Sequence, residues 1–206
     1  MKQKFFIDSH KGITFLAILI MMSIYHQWGN TTAWVYLAMH GTYGLLWVTK
    51  GRIFPDRQWE QKCSLWYGLY IWAGASLYWI TPWLITSRGI DVEPWFISMT
   101  LVLYTFGIFL HYTSDMQKFI ELKYNPGNLI TDGLMQYSRN INYFGEFLIY
   151  GSFALLAMSW IPLAVIAVYF ILEWGPNIKR KEKSLSRYPN FEEYKKKTKL
   201  FIPFIF

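Results

Sequence analysis

Ser64–Thr86 reads SLWYGLYIWAGASLYWITPWLIT, 23 residues without a single Asp, Glu, Lys or Arg. An α-helix rises about 1.5 Å per residue, so about 20 apolar residues cross the hydrocarbon core of a bilayer, with about 17–25 as the working range. Five further windows follow the same pattern: Gly12–Trp28, Ala33–Thr49, Trp95–Tyr112, Tyr143–Ser159 and Ile161–Trp174. Only Trp160 separates the last two, which predicts a tight helical hairpin around Pro162. The last window is short for a span and reads as a tilted or partly interfacial segment. The predicted fold class is all-α, an integral membrane helical bundle of about six transmembrane helices in a single domain over 1–206. Four N-terminal helices over 1–113 precede a half over 114–206 made of a cytoplasmic loop, the hairpin and a basic tail.

Composition agrees with this pattern. Charged residues make up only 16% of the chain, against about 25% in water-soluble domains. Aromatics reach 20%, with 11 Trp and 15 Tyr, and such amphipathic rings suit the headgroup boundary. A large aromatic soluble core would not produce so many long uncharged windows in so short a chain. The single cysteine, Cys63, rules out an intrachain disulfide and a cysteine metal cluster, and it reads as a packing residue near a helix start. No metal-ligand spacing, Gly-rich dinucleotide turn or phosphate-binding loop is present. The N-terminal Met-Lys-Gln-Lys runs into a long apolar stretch without a small-residue cleavage pattern, which predicts a retained first helix.

The net charge of +7 is explained by orientation in the bilayer rather than by nucleic acid, because cytoplasmic segments carry excess Lys and Arg. Six spans place 19 of the 20 basic residues on one side, three before the first span, four in Lys50–Lys62, three in Ser114–Asn142 and nine in the tail. Only Arg88 falls on the other side. Both termini are therefore expected in the cytoplasm. The tail closes with Phe201-Ile-Pro-Phe-Ile-Phe206, an apolar end that should not hang in water and is expected to pack back onto the membrane domain.

Ionisable groups in or at the edge of a bilayer are costly and are functional candidates by default. Here they are His26, His40, His111, Asp115, Glu146 and Glu173. Asn142 and Glu146 stand four residues apart and share one helix face. Such a pair can hold a polar ring or ribose hydroxyls, or it can be a helix-start device with Asn142 as cap and Glu146 favoured by the helix dipole. His40 and Tyr43 share a face of the second helix, flanked by Gly41 and Gly44, which admit a close approach by another helix or a flat ligand. An intramembrane histidine of this kind also serves as a plain interhelical hydrogen bonder. Tyr25 and His26 read as interfacial anchors. The Ser114–Asn142 segment carries Asp115, Gln117, Lys118, Lys123, Tyr137 and Arg139 close to membrane level. Its basic residues suit a phosphate-bearing ligand, or topology alone.

Asp115-Met-Gln-Lys118, Gly133-Leu-Met-Gln-Tyr-Ser-Arg139 and Asn142-Tyr-Phe-Gly-Glu146 together resemble the steroid 5-alpha-reductase superfamily, above all a short membrane branch of it. Tyr188-Pro-Asn-Phe-Glu-Glu-Tyr194 and the terminal Phe-Ile-Pro-Phe-Ile-Phe are similar to the same proteins, with sterol C14-reductases ending comparably. His40-Gly-Thr-Tyr-Gly and Lys50-Gly-Arg-Ile-Phe-Pro55 resemble the family's earlier helix and loop. The resemblance implies an NADPH-dependent reductase of a carbon–carbon double bond in a lipid-like enone or sterol, in lipid or steroid metabolism. It places Asn142, Glu146 and Asp115 on the cofactor, with Lys118, Arg139, Tyr188 and Tyr194 in the same cofactor-binding half. It also implies the endoplasmic reticulum membrane in a eukaryote or the cytoplasmic membrane in a bacterium.

Two departures stand out. The branch usually reads Arg-His-Pro-Asn-Tyr where this chain has Arg139-Asn-Ile-Asn-Tyr143, and the Gln-Glu catalytic pair of steroid 5-alpha-reductases is missing. The proton donor is therefore open, with Tyr43 and His40 as the candidates. Isoprenylcysteine methyltransferases share the general architecture and an Arg-His-Pro-x-Tyr motif, so an S-adenosylmethionine-dependent methyltransferase is the second expectation. A non-catalytic sterol-binding protein is the third.

Overall fold

The computed structural model describes residues 1–206; its elements are all helices, without strands. Its chain divides into two compact units. The first comprises Met1–Tyr104 and Gly151–Val165, the second Thr105–Tyr150 and Ile166–Phe206.

In the first unit α1 (Gln3–Ile24) buries Gln3, Phe6, Ile7, His10, Lys11, Thr14, Ile18 and Met22, the three-and-four spacing of a single helix face. Its outer face leaves Leu16 and Ile20 exposed, as lipid contact requires. The free N–H groups of its first turn are taken by the loop before α3: Gln3 N donates to Gln61 O and Lys4 N to Trp59 O, at 3.0 and 2.8 Å. Lys2 and Lys4 bind Glu60 there at 2.6 and 3.2 Å, and hold its carboxyl below the usual range. α2 (Thr31–Ile53) starts at Asn30, whose side chain accepts from Ala33 N at 2.8 Å. Gly41 and Gly44 admit a helix, not a flat ligand: a Cβ on Gly41 would sit 3.3 Å from Phe15 Cβ, and one on Gly44 would run into the Lys11 carbonyl.

The 64–86 window is not one straight span. It forms α3 (Leu65–Ser76), a 3₁₀ turn at Leu77–Trp79 and α4 (Ile80–Arg88). α5 (Pro94–Tyr124) corrects the predicted loop. Its 31 residues carry the helix through Asp115, Gln117, Lys118 and Lys123, so the connection that follows begins at Asn125. At about 46 Å α5 outruns a hydrocarbon core, and its polar last turns stand in the headgroup region or beyond. α6 (Ile141–Leu156) and α7 (Trp160–Tyr169) form the predicted hairpin, turning at Ala157–Ser159 with Met158 at φ 45°. α7 continues through a π-helical turn at Phe170–Trp174 into the polar α8 (Gly175–Leu185), and α9 (Phe191–Lys197) follows.

Three helical stretches are long and apolar enough to cross a membrane: Gln3–Ile24, Pro94–Tyr124 and Trp160–Leu185. The expectation of six needs shorter or more polar elements to span as well. α2 has the length, but Tyr36, His40, Tyr43 and its glycines dilute its apolar character. The chain is a multi-pass helical membrane protein.

Candidate functional site

The predicted cofactor residues fall in the second unit, where α5 and α6 meet backbone to backbone. A Cβ on Gly145 would lie 2.6 Å from His111 N and 2.9 Å from Gly107 O. At this contact His111 Nδ1 is 3.1 Å from the Asn142 carbonyl. A carbonyl only accepts, so Nδ1 carries the proton in that bond. One helical turn on, Asp115 Oδ2 lies 3.9 Å from His111 Nε2, both side chains being buried. Asp115 is thus placed against the start of α6 through His111.

Asn142 does not cap that helix. It lies inside the first turn, one residue after Ile141, and its Oδ1 is buried without a hydrogen-bond partner. Of the two readings left open by the sequence, the helix-start device loses its capping half. Glu146 follows on the same face, half-buried. Asn140, fully buried, has a second unpartnered amide oxygen, while its Nδ2 donates to Leu200 O at 2.9 Å.

Arg139 is buried and mostly engaged inside the fold. Its Nε sits 3.0 Å from both Glu182 oxygens, and its Nη1 donates to Thr198 O at 2.9 Å and Thr198 Oγ1 at 3.0 Å. It pins α8 and the end of α9 to the segment before α6. Lys181 Nζ donates to the Arg139 carbonyl at 2.6 Å. Burial pushes Lys181 down to about 8, Lys118 lowers it further, and Asp115 and Glu182 oppose the fall. Lys118, Asp115 and Lys181 therefore share one electrostatic neighbourhood. Tyr194 donates to Met135 O at 2.8 Å and is pushed up to about 12 by burial. Tyr188 lies beside Arg187, whose Nη2 donates to its hydroxyl at 3.1 Å.

His40 and Tyr43 belong to the first unit. His40 Nδ1 is 2.8 Å from Tyr36 OH, and its ring stacks on Phe153 with centroids 4.6 Å apart. Tyr43 lies under Lys11, whose Nζ is 4.2 Å from the centroids of both Tyr43 and Trp47. Sequence reasoning missed Lys181, Glu182 and Asn140. Lys181 is one of nine basic residues in a tail that reads as a solvated run, and only its tertiary partners distinguish it. Asn140 stands where the resembling proteins carry another residue, so the motif gave no reason to select it. His111 was a candidate by its position in the membrane, but nothing linear tied it to Asn142.

An all-helical membrane protein whose second unit carries a polar, partly charged cluster is the class these features define. Residues 86–198, more than half of the chain, match the model of a family described as a protein of unknown function, DUF1295, and the chain belongs to that family. No curated protein matches it.

Proposed function

We propose that this protein is a membrane-bound, NADPH-dependent reductase of a carbon–carbon double bond in a lipid-like enone or sterol-type substrate, with the cofactor held by the second unit. The observation that carries the reading is the buried, unpartnered Asn142 Oδ1 on the face that also bears Glu146. Buried polar atoms are hydrogen-bonded in folded proteins, and an amide oxygen calls for a donor such as a carboxamide N–H or a ribose hydroxyl. The surrounding charges favour a phosphate-bearing ligand: Lys118, Lys181 and Arg139 against Asp115 and Glu182. The resemblance of the Asp115–Lys118 and Asn142–Glu146 segments to steroid 5-alpha-reductases supports the same assignment.

In this reading Asn142 and Glu146 orient the nicotinamide half, and His111 fixes Asn142 through its carbonyl. Asp115, Lys118 and Lys181 hold the adenosine and phosphate half. Arg139 is a positioning residue that secures the tail carrying Lys181, and Tyr188 and Tyr194 frame that tail. NADPH supplies a hydride when bound. Reduction of an enone leaves an enolate, so an acid must stand near the carbonyl oxygen; His40 and Tyr43, the donors expected from the sequence, lie in the first unit and are held there by Tyr36 and Lys11. The membrane is that of the endoplasmic reticulum in a eukaryote or the cytoplasmic membrane in a bacterium.

The test is equilibrium binding by the purified protein in detergent. NADPH is expected to bind and S-adenosylmethionine not. Tight binding of S-adenosylmethionine without NADPH replaces the reading by a methyltransferase of the isoprenylcysteine type, and binding of neither replaces it by a non-catalytic sterol-binding protein.

A further inference from the structure

The last six residues face two ways. Phe201 is buried, with its ring centroid 5.8 Å from Phe144, 6.1 Å from Phe147 and 5.5 Å from Phe170. Its N–H donates to the Phe206 main-chain oxygen at 2.7 Å, closing residues 201–206 into a loop. Phe204 turns that loop at φ 66°, a left-handed conformation uncommon for a residue with a side chain. The result is an apolar tip: Phe204, Ile205 and Phe206 are 75%, 74% and 61% exposed. Three adjacent large apolar side chains are not left in water without a partner.

The surroundings identify that partner. Phe170 belongs to the apolar stretch that crosses the membrane, and its neighbours Ile171 and Leu172 are exposed as lipid-facing residues are. The tip therefore emerges beside the lipid-facing surface. Lys195, Lys196 and Lys199, just before the loop, are exposed, and Lys197, also exposed, is paired with Glu193 at 2.6 Å. An apolar tip behind a basic collar is the pattern that binds an anionic leaflet, where acyl chains receive the rings and headgroups the ammonium groups.

The loop is also tied to the candidate site. Arg139 N donates to Lys199 O at 3.0 Å, Asn140 Nδ2 to Leu200 O at 2.9 Å, and Ser138 Oγ to Phe201 O at 2.9 Å. Residues 138–140 lead directly into the helix of Asn142 and Glu146. We propose that Phe204, Ile205 and Phe206 insert into the interfacial zone of an anionic lipid leaflet, with the lysine collar on its headgroups, and that this seating holds the 138–140 segment in place as a strap. The proposal goes beyond the reductase reading and stands without it.

A Cys63→Ser background with Ile205→Cys carries an environment-sensitive nitrobenzoxadiazole label into vesicles of phosphatidylcholine, with and without phosphatidylglycerol. Blue-shifted emission is expected, with quenching by nitroxide-labelled lipid about twofold stronger in the anionic vesicles. A label at Ser184→Cys, on exposed α8, is expected to emit as in water. Water-like emission at position 205, or equal quenching in both vesicles, overturns the lipid assignment. Emission that follows protein density instead of lipid composition points to a second copy of the chain and overturns it too. For the strap, Phe204, Ile205 and Phe206 are changed together to Ser, or Phe206→Ser alone if the triple variant does not fold. Hydrogen exchange at the Arg139 amide is expected to quicken about tenfold in anionic vesicles while α2 amides keep their protection. An unchanged Arg139 amide overturns the strap.

Discussion

Buried polar side chains of the first unit close on one another. Tyr36 meets His40 at 2.8 Å, Trp79 donates to Thr14 at 3.1 Å, and Tyr104 donates to the Met39 carbonyl at 2.8 Å. His10 is one exception, with unpartnered ring nitrogens, yet Trp72 and Trp79 enclose its ring at 5.1 and 4.9 Å. In the second unit two amide oxygens, on Asn140 and Asn142, are left over, and Lys181 lies among mixed charges. Polar groups that satisfy each other specify a fold. Under the proposed function, the polar groups left over beside charges that can meet a phosphate are those that take the ligand.

That contrast is broken most violently by crowding the first unit. Gly44→Val drives side-chain atoms into the Lys11 carbonyl, and the two helices must part. Overpacking of this kind costs about 3 kcal/mol, expected as loss of folded, monodisperse protein in detergent. Gly151 is the control, with nothing within 4 Å of a Cβ built on it. Gly151→Ala is expected to be neutral or to gain about 0.5–1 kcal/mol from helix propensity. A tolerated Gly44→Val would mean that the first unit is loosely packed.

The second unit is expected to respond in binding instead of folding. Asn142→Ala removes an amide from the proposed cofactor contact and Glu146→Gln removes a charge, where hydrogen bonds to charged groups are worth about 1.5–3 kcal/mol. NADPH affinity should fall by roughly tenfold or more, with thermal unfolding in detergent unchanged. Unaltered affinity in both, with normal folding, would make the pair a structural feature of the start of α6.

These residues also show what the linear sequence carries. The helical class, the hairpin and the proximity of Asn142 to Glu146 are local properties, set by runs of apolar residues and the helical repeat, and they were legible. The break at Leu77–Trp79 was not read, although Pro82, which has no N–H for the Tyr78 carbonyl and sets its ring against that turn, encodes it. Nor was the extension of α5 to Tyr124, because polar residues after Tyr112 read as a loop although nothing in them stops a helix. The tail was half legible: Phe201 packs inward as expected, while Phe204–Phe206 do not. The grouping of His111, Asp115, Lys118 and Lys181 depends on how separate segments meet, which spacing does not encode.

Lys181 offers a smaller effect with a characteristic sign. Burial pushes it down to about 8 from the ordinary 10.5. If its ammonium meets a phosphate, NADPH affinity is flat below pH ~8 and falls above it, by up to about tenfold per pH unit. Stability moves the other way. Between those two pKa values the unfolded chain keeps a proton that the folded state has lost, so this group favours folding more as pH rises. Lys181→Met should abolish both trends, read by NADPH titration and thermal unfolding across pH 7–9.5. A pH-independent affinity in the parent protein would remove Lys181 from the phosphate contact.

The smallest expected effect is the most direct test of the first unit as a self-satisfied core. Tyr36 OH lies 2.8 Å from His40 Nδ1, so Tyr36→Phe deletes one hydroxyl and leaves its former partner in place. A net hydrogen bond is worth about 1 kcal/mol, which at this chain length lowers Tm by roughly 2–4 °C. The ring itself stays, still packed on Phe153 at 5.6 Å, so no cavity adds to the loss. NADPH affinity should not change, because none of the atoms involved belongs to the proposed cofactor contact. A drop in affinity or in turnover well beyond the stability loss would show that the Tyr36–His40 bond sets the protonation of His40 for chemistry. The first unit would then be part of the reaction machinery, and the division between a sealed core and a prepared site would fail at that residue.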